Sequence, residues 1–180
     1  MKIAVIGLGY VGLPLSLRLS QLNFDVIGID INLEKIRKLR KGILPFAQEE
    51  PFLLAFLKRE YKRGKISFSL TFKDLKQGDL VIVCVETPII EKIPNYQSLI
   101  GALKSIAPNL KKGSIVVIES TVAPNTSKKL VIPILEKQSK SLSSGRSPNL
   151  SPPGVGTIAV PVRTSNGAAN IKEVRDFSPV

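Results

Sequence analysis

Apolar runs and amphipathic stretches take turns along this chain. Short β-branched runs stand at 2–7 (KIAVIG), 25–29 (DVIGI), 66–70 (ISFSL), 79–85 (DLVIVCV) and 114–118 (SIVVI). Between them, apolar residues recur every three or four positions near 11–22, 33–41, 49–63, 96–109 and 126–138, the spacing of helices. Runs such as LVIVCV carry no polar alternation, as expected of strands covered on both faces in a parallel sheet. Strand–helix alternation therefore predicts an α/β domain, a doubly wound parallel sheet of at least five strands with right-handed crossovers.

The pattern stops near residue 139. The segment SKSLSSGRSPNLSPPGVGTIAVPVRTSNGAAN is rich in Ser, Pro, Gly and Asn. Only TIAVPV resembles a strand, and Pro161 confines it to a sheet edge. The reading is a folded domain over 1–139 followed by an irregular, disordered or aberrant tail over 140–180.

The first strand runs into IAVIGLGYVGLPLS, residues 3–16, with glycines at 7, 9 and 12. A G-x-G-x-x-G alone is a weak signal, also met as a plain strand-to-helix turn. Here a strand precedes it, a helix follows, and a second strand ends in an acid. Gly7 leaves the strand sharply, Gly9 lets a pyrophosphate reach the backbone, and Gly12 lets helix and strand pack closely. Amides from Tyr10 onward then face phosphates at a helix N-terminus. Asp30 closes the second strand 18 residues after Gly12, where a carboxylate accepts both hydroxyls of an adenosine ribose. It would meet a 2′-phosphate with like charge, which favours NAD over NADP. Asn32 serves as the cap of the next helix, leaving Asp30 free for the ribose. Lys35 lies one turn on, read either as a ribose or phosphate contact or as one more surface lysine. The sheet is accordingly read as Rossmann-type, order 3-2-1-4-5.

Composition narrows the chemistry. The 180 residues contain no histidine and one cysteine. That excludes an intramolecular disulfide, an N/S-ligated zinc site within one chain, and Ser-His-Asp or Cys-His catalysis. No metal site is expected. The net charge is +12, concentrated in Lys35, Arg37, Lys38, Arg40 and Lys41 and in Lys58, Arg59, Lys62, Arg63 and Lys65. Both clusters interleave with apolar residues at helical spacing and read as solvated helix faces. Sparse aromatics and the lack of a DNA or RNA motif argue against a nucleic-acid partner. No signal peptide and no run of ~18 apolar residues is seen, so no membrane partner is expected and the protein is placed in the cytoplasm.

KIAVIGLGYVGLPLS, VIGIDINLEKIRKLRKG, LVIVCVETP and VVIESTVAPNT together resemble the N-terminal NAD-binding domain of the UDP-glucose/GDP-mannose dehydrogenase family. The likeness is greatest to its UDP-N-acetylmannosamine and UDP-N-acetylglucosamine 6-dehydrogenases and covers residues 1 to about 138. It implies NAD-dependent oxidation of a sugar-nucleotide primary alcohol to a uronic acid in two hydride-transfer steps. Carried over by position, the cofactor contacts fall on Tyr10, Val11, Asp30, Lys35, Thr87 and Thr121. Thr87 and Pro88 follow the strand LVIVCV, on the side where open α/β sheets bind ligands. Thr121 follows SIVVI and is a candidate to position a water or the nicotinamide through its hydroxyl. Both threonines also read as ordinary turn residues. No catalytic residue is assigned, since Cys84 lies inside an apolar strand as a small hydrophobe.

Two departures stand out. Asn125 replaces the glycine of the family's STVxPGT, and asparagine is the common substitute at positive φ. SPNLSPPG, from Ser147 to Gly154, stands where the family reads SPERVxPG, placing Asn149 at a glutamate position. The family's central domain, thiol nucleophile and sugar-nucleotide domain have no counterpart, so the chain reads as truncated and is not expected to complete the oxidation alone. A UDP-sugar partner is expected only together with those domains, and homo-oligomer formation is left open. The competing readings are a hydroxyacid-type reductase, disfavoured by CVETP and ESTVAP, and a non-catalytic basic interaction module.

Overall fold

The computed structural model describes residues 1–46, 51–110, 114–141 and 156–159. The chain runs β1 (Lys2–Ile6), α1 (Gly12–Gln21), β2 (Asp25–Ile29), α2 (Leu33–Arg40), α3 (Pro51–Lys62) and β3 (Ile66–Ser69). A 3-10 turn (Phe72–Gln77) leads to β4 (Leu80–Val83), a two-residue-per-strand hairpin of β5 (Ile89–Ile90) and β6 (Ile93–Pro94), and α4 (Gln97–Ile106). A second 3-10 turn (Ala107–Asn109), β7 (Ile115–Ile118), a π-helical turn (Ser127–Val131), α5 (Ile132–Ser141) and β8 (Gly156–Ala159) complete it.

One six-stranded sheet has the order β3-β2-β1-β4-β7-β8, and its neighbouring pairs are all parallel. The first five strands of that sheet thus take the expected 3-2-1-4-5 order. Ile3 stands opposite Val26 on one side and Leu80 on the other. The chain winds outward from β1 to β3, returns to β4, and winds the other way. The crevice at this reversal, beside β1, is where doubly wound sheets bind ligands. β8 takes the edge beside β7, the position expected for TIAVPV, while Pro161 and the other tail residues lie outside the described ones.

Alternation along β1 explains the continuous apolar run. Ile3 and Val5 enter one core layer with Leu13, Leu17, Ile36 and Leu57, while Ala4 and Ile6 enter the other with Leu99, Leu103 and Ile106. Helices α1, α2 and α3 cover the first face, and α4 and α5 the second. Each fully buried leucine contributes about 1.5–3 kcal/mol relative to exposure.

Local residues set the boundaries. Asn32 caps α2, its side-chain oxygen accepting the Lys35 N–H at 3.0 Å. Asn125 adopts φ 66°, so the turn after β7 survives the loss of the family's glycine. Two elements carried no sequence signal. The β5–β6 turn places Glu91 and Lys92 at φ 48° and 66°, a geometry normally announced by Asn or Gly. The π-helical turn occupies the start of the stretch read as one helix over 126–138.

Helix α3 buries a charge. Glu60 is fully buried, and its carboxylate accepts from Ser20 Oγ (2.9 Å), Arg59 Nε (2.8 Å) and Arg63 Nη1 (2.8 Å). Burial alone would raise its pKa, but these donors outweigh it and hold the group below its usual 4.5. The folded value is therefore below the unfolded one. The stabilisation is full above the ordinary carboxylate range and is lost as pH falls through the folded value. Glu60→Gln is expected to cost about 1–2 kcal/mol at pH 7 and to flatten the acid limb of stability measured by urea unfolding between pH 7 and 3.

Candidate functional site

At the end of β1, Gly7 turns out of the strand with φ 88°, its N–H donating to the Ile29 carbonyl at 2.8 Å. A Cβ there would stand 2.7 Å from the Cys84 carbonyl oxygen. Gly12 starts α1 so close to this turn that its Cβ would fall 1.9 Å from the Gly7 carbonyl oxygen. Gly9 is different. Nothing lies within 4 Å of where its Cβ would be, and it borders an open cleft. The first i→i−4 bond of α1 runs from Leu13 N–H to Gly9 C=O (3.1 Å). The amides of Tyr10, Val11 and Gly12 stand ahead of that bond, in the place where helix N-termini receive phosphate oxygens. Tyr10 and Val11 are exposed, and the Tyr10 ring stacks on Phe46 at 4.4 Å.

Asp30 follows β2 and reaches back to this turn. One carboxylate oxygen accepts the Leu8 N–H (2.9 Å) and the Lys35 ammonium (2.6 Å), and the other accepts the Asn32 N–H (2.9 Å). The sequence reading had Asn32 capping α2 and Asp30 free. The cap is as expected, but Asp30 is not free. It is only 7% exposed, and a desolvated carboxylate requires partners. About four acceptor positions are available on a carboxylate, so two ribose hydroxyls cannot both bind unless Lys35 gives way. Lys35, on a flexible stem with its side chain 24% exposed, is the partner able to move.

The cleft measures about 670 Å³, within the range of small-molecule and cofactor pockets. Gly7, Gly9, Asp30 and Lys35 line one side, and Gln97, Ser98, Gly101 and Ser105 of the α4 region line it as well, with Glu86. Sequence reading missed this second wall. Its signal was present: Ser98, Gly101 and Ser105 recur at helical spacing, between the core positions Leu99, Leu103 and Ile106.

Thr87, Pro88 and Thr121 do not line this cleft. They lie past the ends of β4 and β7, on the far side of β1 from Asp30. Thr87 Oγ1 donates to the Thr121 carbonyl (2.6 Å), and Ser120 Oγ to the Val85 carbonyl (2.6 Å). The two loops are thus laced together. The bonded group of Thr121 is its carbonyl, rather than the hydroxyl on which the sequence reading relied. Thr87 has its proton committed and is left to accept a hydrogen bond from a ligand.

Cys84 borders the cleft. Burial, with a smaller effect from the Glu119 carboxylate, pushes its thiol up to about 12. At pH 8 the thiolate fraction is on the order of 10⁻⁴. Iodoacetamide is expected to label Cys84 far more slowly in the native protein than in urea, as read by mass spectrometry.

A family model described as "UDP-glucose/GDP-mannose dehydrogenase family, NAD binding domain" matches residues 1–171. The chain belongs to this family. The matched part is its NAD-binding domain, and NAD is the cofactor. The chain is 36% identical over 130 residues to the UDP-N-acetyl-D-mannosamine dehydrogenase of Pyrococcus horikoshii, covering 72% of this chain and 31% of that one. It is 39% identical over 160 residues to the UDP-N-acetyl-D-glucosamine 6-dehydrogenase of Pseudomonas aeruginosa, covering 86% and 36%. Among solved structures, a ternary complex of GDP-mannose dehydrogenase from Pseudomonas aeruginosa superposes with a TM-score of 0.73 at 31% identity, over 78% of this chain and 33% of that one. The chain thus spans about a third of the length of these relatives. No helix among the described residues is long and apolar enough to cross a membrane.

The site suits NAD by its own geometry. Gly9 leaves open the approach a pyrophosphate needs, the amides ahead of the first α1 bond have no partner among the described residues, and the carboxylate at the end of β2 opens on the same cleft.

Proposed function

We propose that the chain holds NAD across the C-terminal edge of the sheet. The pyrophosphate lies on Gly7, Gly9, Tyr10, Val11 and Gly12, the adenosine ribose at Asp30 and Lys35, and the nicotinamide half towards Thr87, Pro88 and Thr121. Bound NAD supplies a hydride acceptor. The protein's own residues orient it: backbone amides neutralise the phosphates, Asp30 selects a ribose bearing a free 2′-hydroxyl, and Thr87 offers an acceptor at the far end. The domain serves a cytoplasmic enzyme oxidising the primary alcohol of a UDP-sugar, a reading supported by the names of its relatives. Burial disfavours the thiolate of Cys84, the chain's one cysteine, so no thiohemiacetal is expected there and no UDP-sugar turnover is expected from these residues alone.

The observation that carries the reading is the open face of Gly9 beside the Asp30 carboxylate in one cleft. Fluorescence titration with NADH and NADPH tests it. Saturable NADH binding, with NADPH weaker by about tenfold or more, is expected from a 2′-phosphate placed against a carboxylate. Equal binding of the two, or none of NADH, would contradict it.

A further inference from the structure

The loop after β7 carries Thr121, and a side chain from outside that loop holds it in place. Tyr96 immediately precedes α4 and packs against the core cluster that includes Leu99, Leu103 and Val116. Its hydroxyl accepts the Ala123 N–H at 2.9 Å. The Ala123 carbonyl is also held, accepting from Thr126 Oγ1 (2.7 Å) and Thr126 N–H (3.2 Å). Ala123 is thus fixed at its amide by Tyr96 and at its carbonyl by the turn that Asn125 closes at φ 66°. Two residues back, Thr121 receives the Thr87 hydroxyl at 2.6 Å. A path therefore runs from the core through the Tyr96 ring and hydroxyl to Ala123, along the backbone through Val122 to Thr121, and across a hydrogen bond to Thr87.

These groups lie on one half of the site. Asp30 follows β2, to one side of β1, whereas Thr87 and Thr121 follow β4 and β7, to the other. A dinucleotide bound across the reversal point places its adenosine half at Asp30 and its other half at the two threonines.

We propose that Tyr96 is a positioning residue for the nicotinamide half of the cofactor, acting through Ala123 to set Thr121 and the Thr87 hydroxyl. The proposal rests on the NAD reading above. It predicts an effect confined to one end of the ligand. Tyr96→Phe keeps the ring on the core and removes the hydroxyl alone, leaving the Ala123 amide to water.

The test compares NADH with ADP-ribose, which carries the same adenosine and pyrophosphate but no nicotinamide, by calorimetry on the full 180-residue chain. In Tyr96→Phe, NADH affinity should fall about fivefold, the worth of the one hydrogen bond that a displaced Thr87 would no longer accept from the ligand, while ADP-ribose affinity stays within twofold. A merely structural role of Tyr96 would weaken both ligands alike. Equal loss for the two ligands, or no loss for either, overturns the proposal. Failure of the unaltered protein to bind either ligand overturns the NAD reading and this proposal with it. A second variant guards against misfolding: Thr87→Val should reproduce the selective loss, and combining it with Tyr96→Phe should add little, because both act on one linked group.

Discussion

Gly9→Ala should fold as well as the parent and bind almost no NAD. The methyl group meets no protein atom within 4 Å, so the melting temperature should move by no more than a degree or two. In the proposed cradle it takes the space through which a pyrophosphate would reach the backbone. Losing that approach and the amide contacts behind it should weaken NADH on the order of a hundredfold, several charge-assisted hydrogen bonds being lost together. Gly12→Ala supplies the contrast. Its Cβ would fall 1.9 Å from the Gly7 carbonyl oxygen and 3.1 Å from Cys84 Cβ, contacts that only movement of α1 can relieve. Overpacking of this kind costs about 1–3 kcal/mol or more, and the melting temperature should fall clearly. Thermal melts and NADH titrations of both variants separate cradle from packing.

Asp30→Asn should change the choice of cofactor. In the parent, Asp30 and Lys35 are paired at 2.6 Å, each occupying the other's charge. The amide keeps the size of the carboxylate and an oxygen for the Leu8 or Asn32 N–H, but it releases the lysine. NADH should weaken by about tenfold to a hundredfold as charged hydrogen bonds to the ribose become neutral. NADPH should hold or gain, because its 2′-phosphate now meets a free ammonium in place of a carboxylate. The ratio of the two dissociation constants should therefore move by about tenfold or more in favour of NADPH. Lys35→Met combined with Asp30→Asn should remove the gain for NADPH and keep the loss for NADH. NADPH titrations of the single and double variants check this.

Much of this account was legible in the sequence, for identifiable reasons. Strand positions followed from apolar runs because both faces of the sheet are covered, so Ile3 and Ala4 are equally buried though they point opposite ways. The roles of Gly7 and Gly12 followed because glycine alone fits a left-handed turn and a 1.9 Å approach. What the sequence concealed was long-range hydrogen bonding. Asp30 was read as free because Asn32, two residues on, could cap the helix. Its partner Leu8 lies 22 residues away and meets it only once β1 and β2 pair. The lacing of Thr87 to Thr121 spans 34 residues and depends on β4 and β7 being neighbours. The α4 wall of the cleft was missed for a different reason. Its small residues form a helical face, but nothing local says which face of a helix meets a ligand.

The most direct test of the central claim is the map of backbone amide shifts on NADH addition to ¹⁵N-labelled protein. Perturbations are expected to concentrate at Gly7–Leu13 and Asp30–Lys35, with smaller ones at Thr87 and Thr121. A second cavity of about 380 Å³, lined by Lys2, Asp25 and Lys65 at the opposite end of the strands, provides the internal control and should stay silent. Perturbations centred on that cavity, or a glycine turn unmoved at saturating NADH, would contradict it.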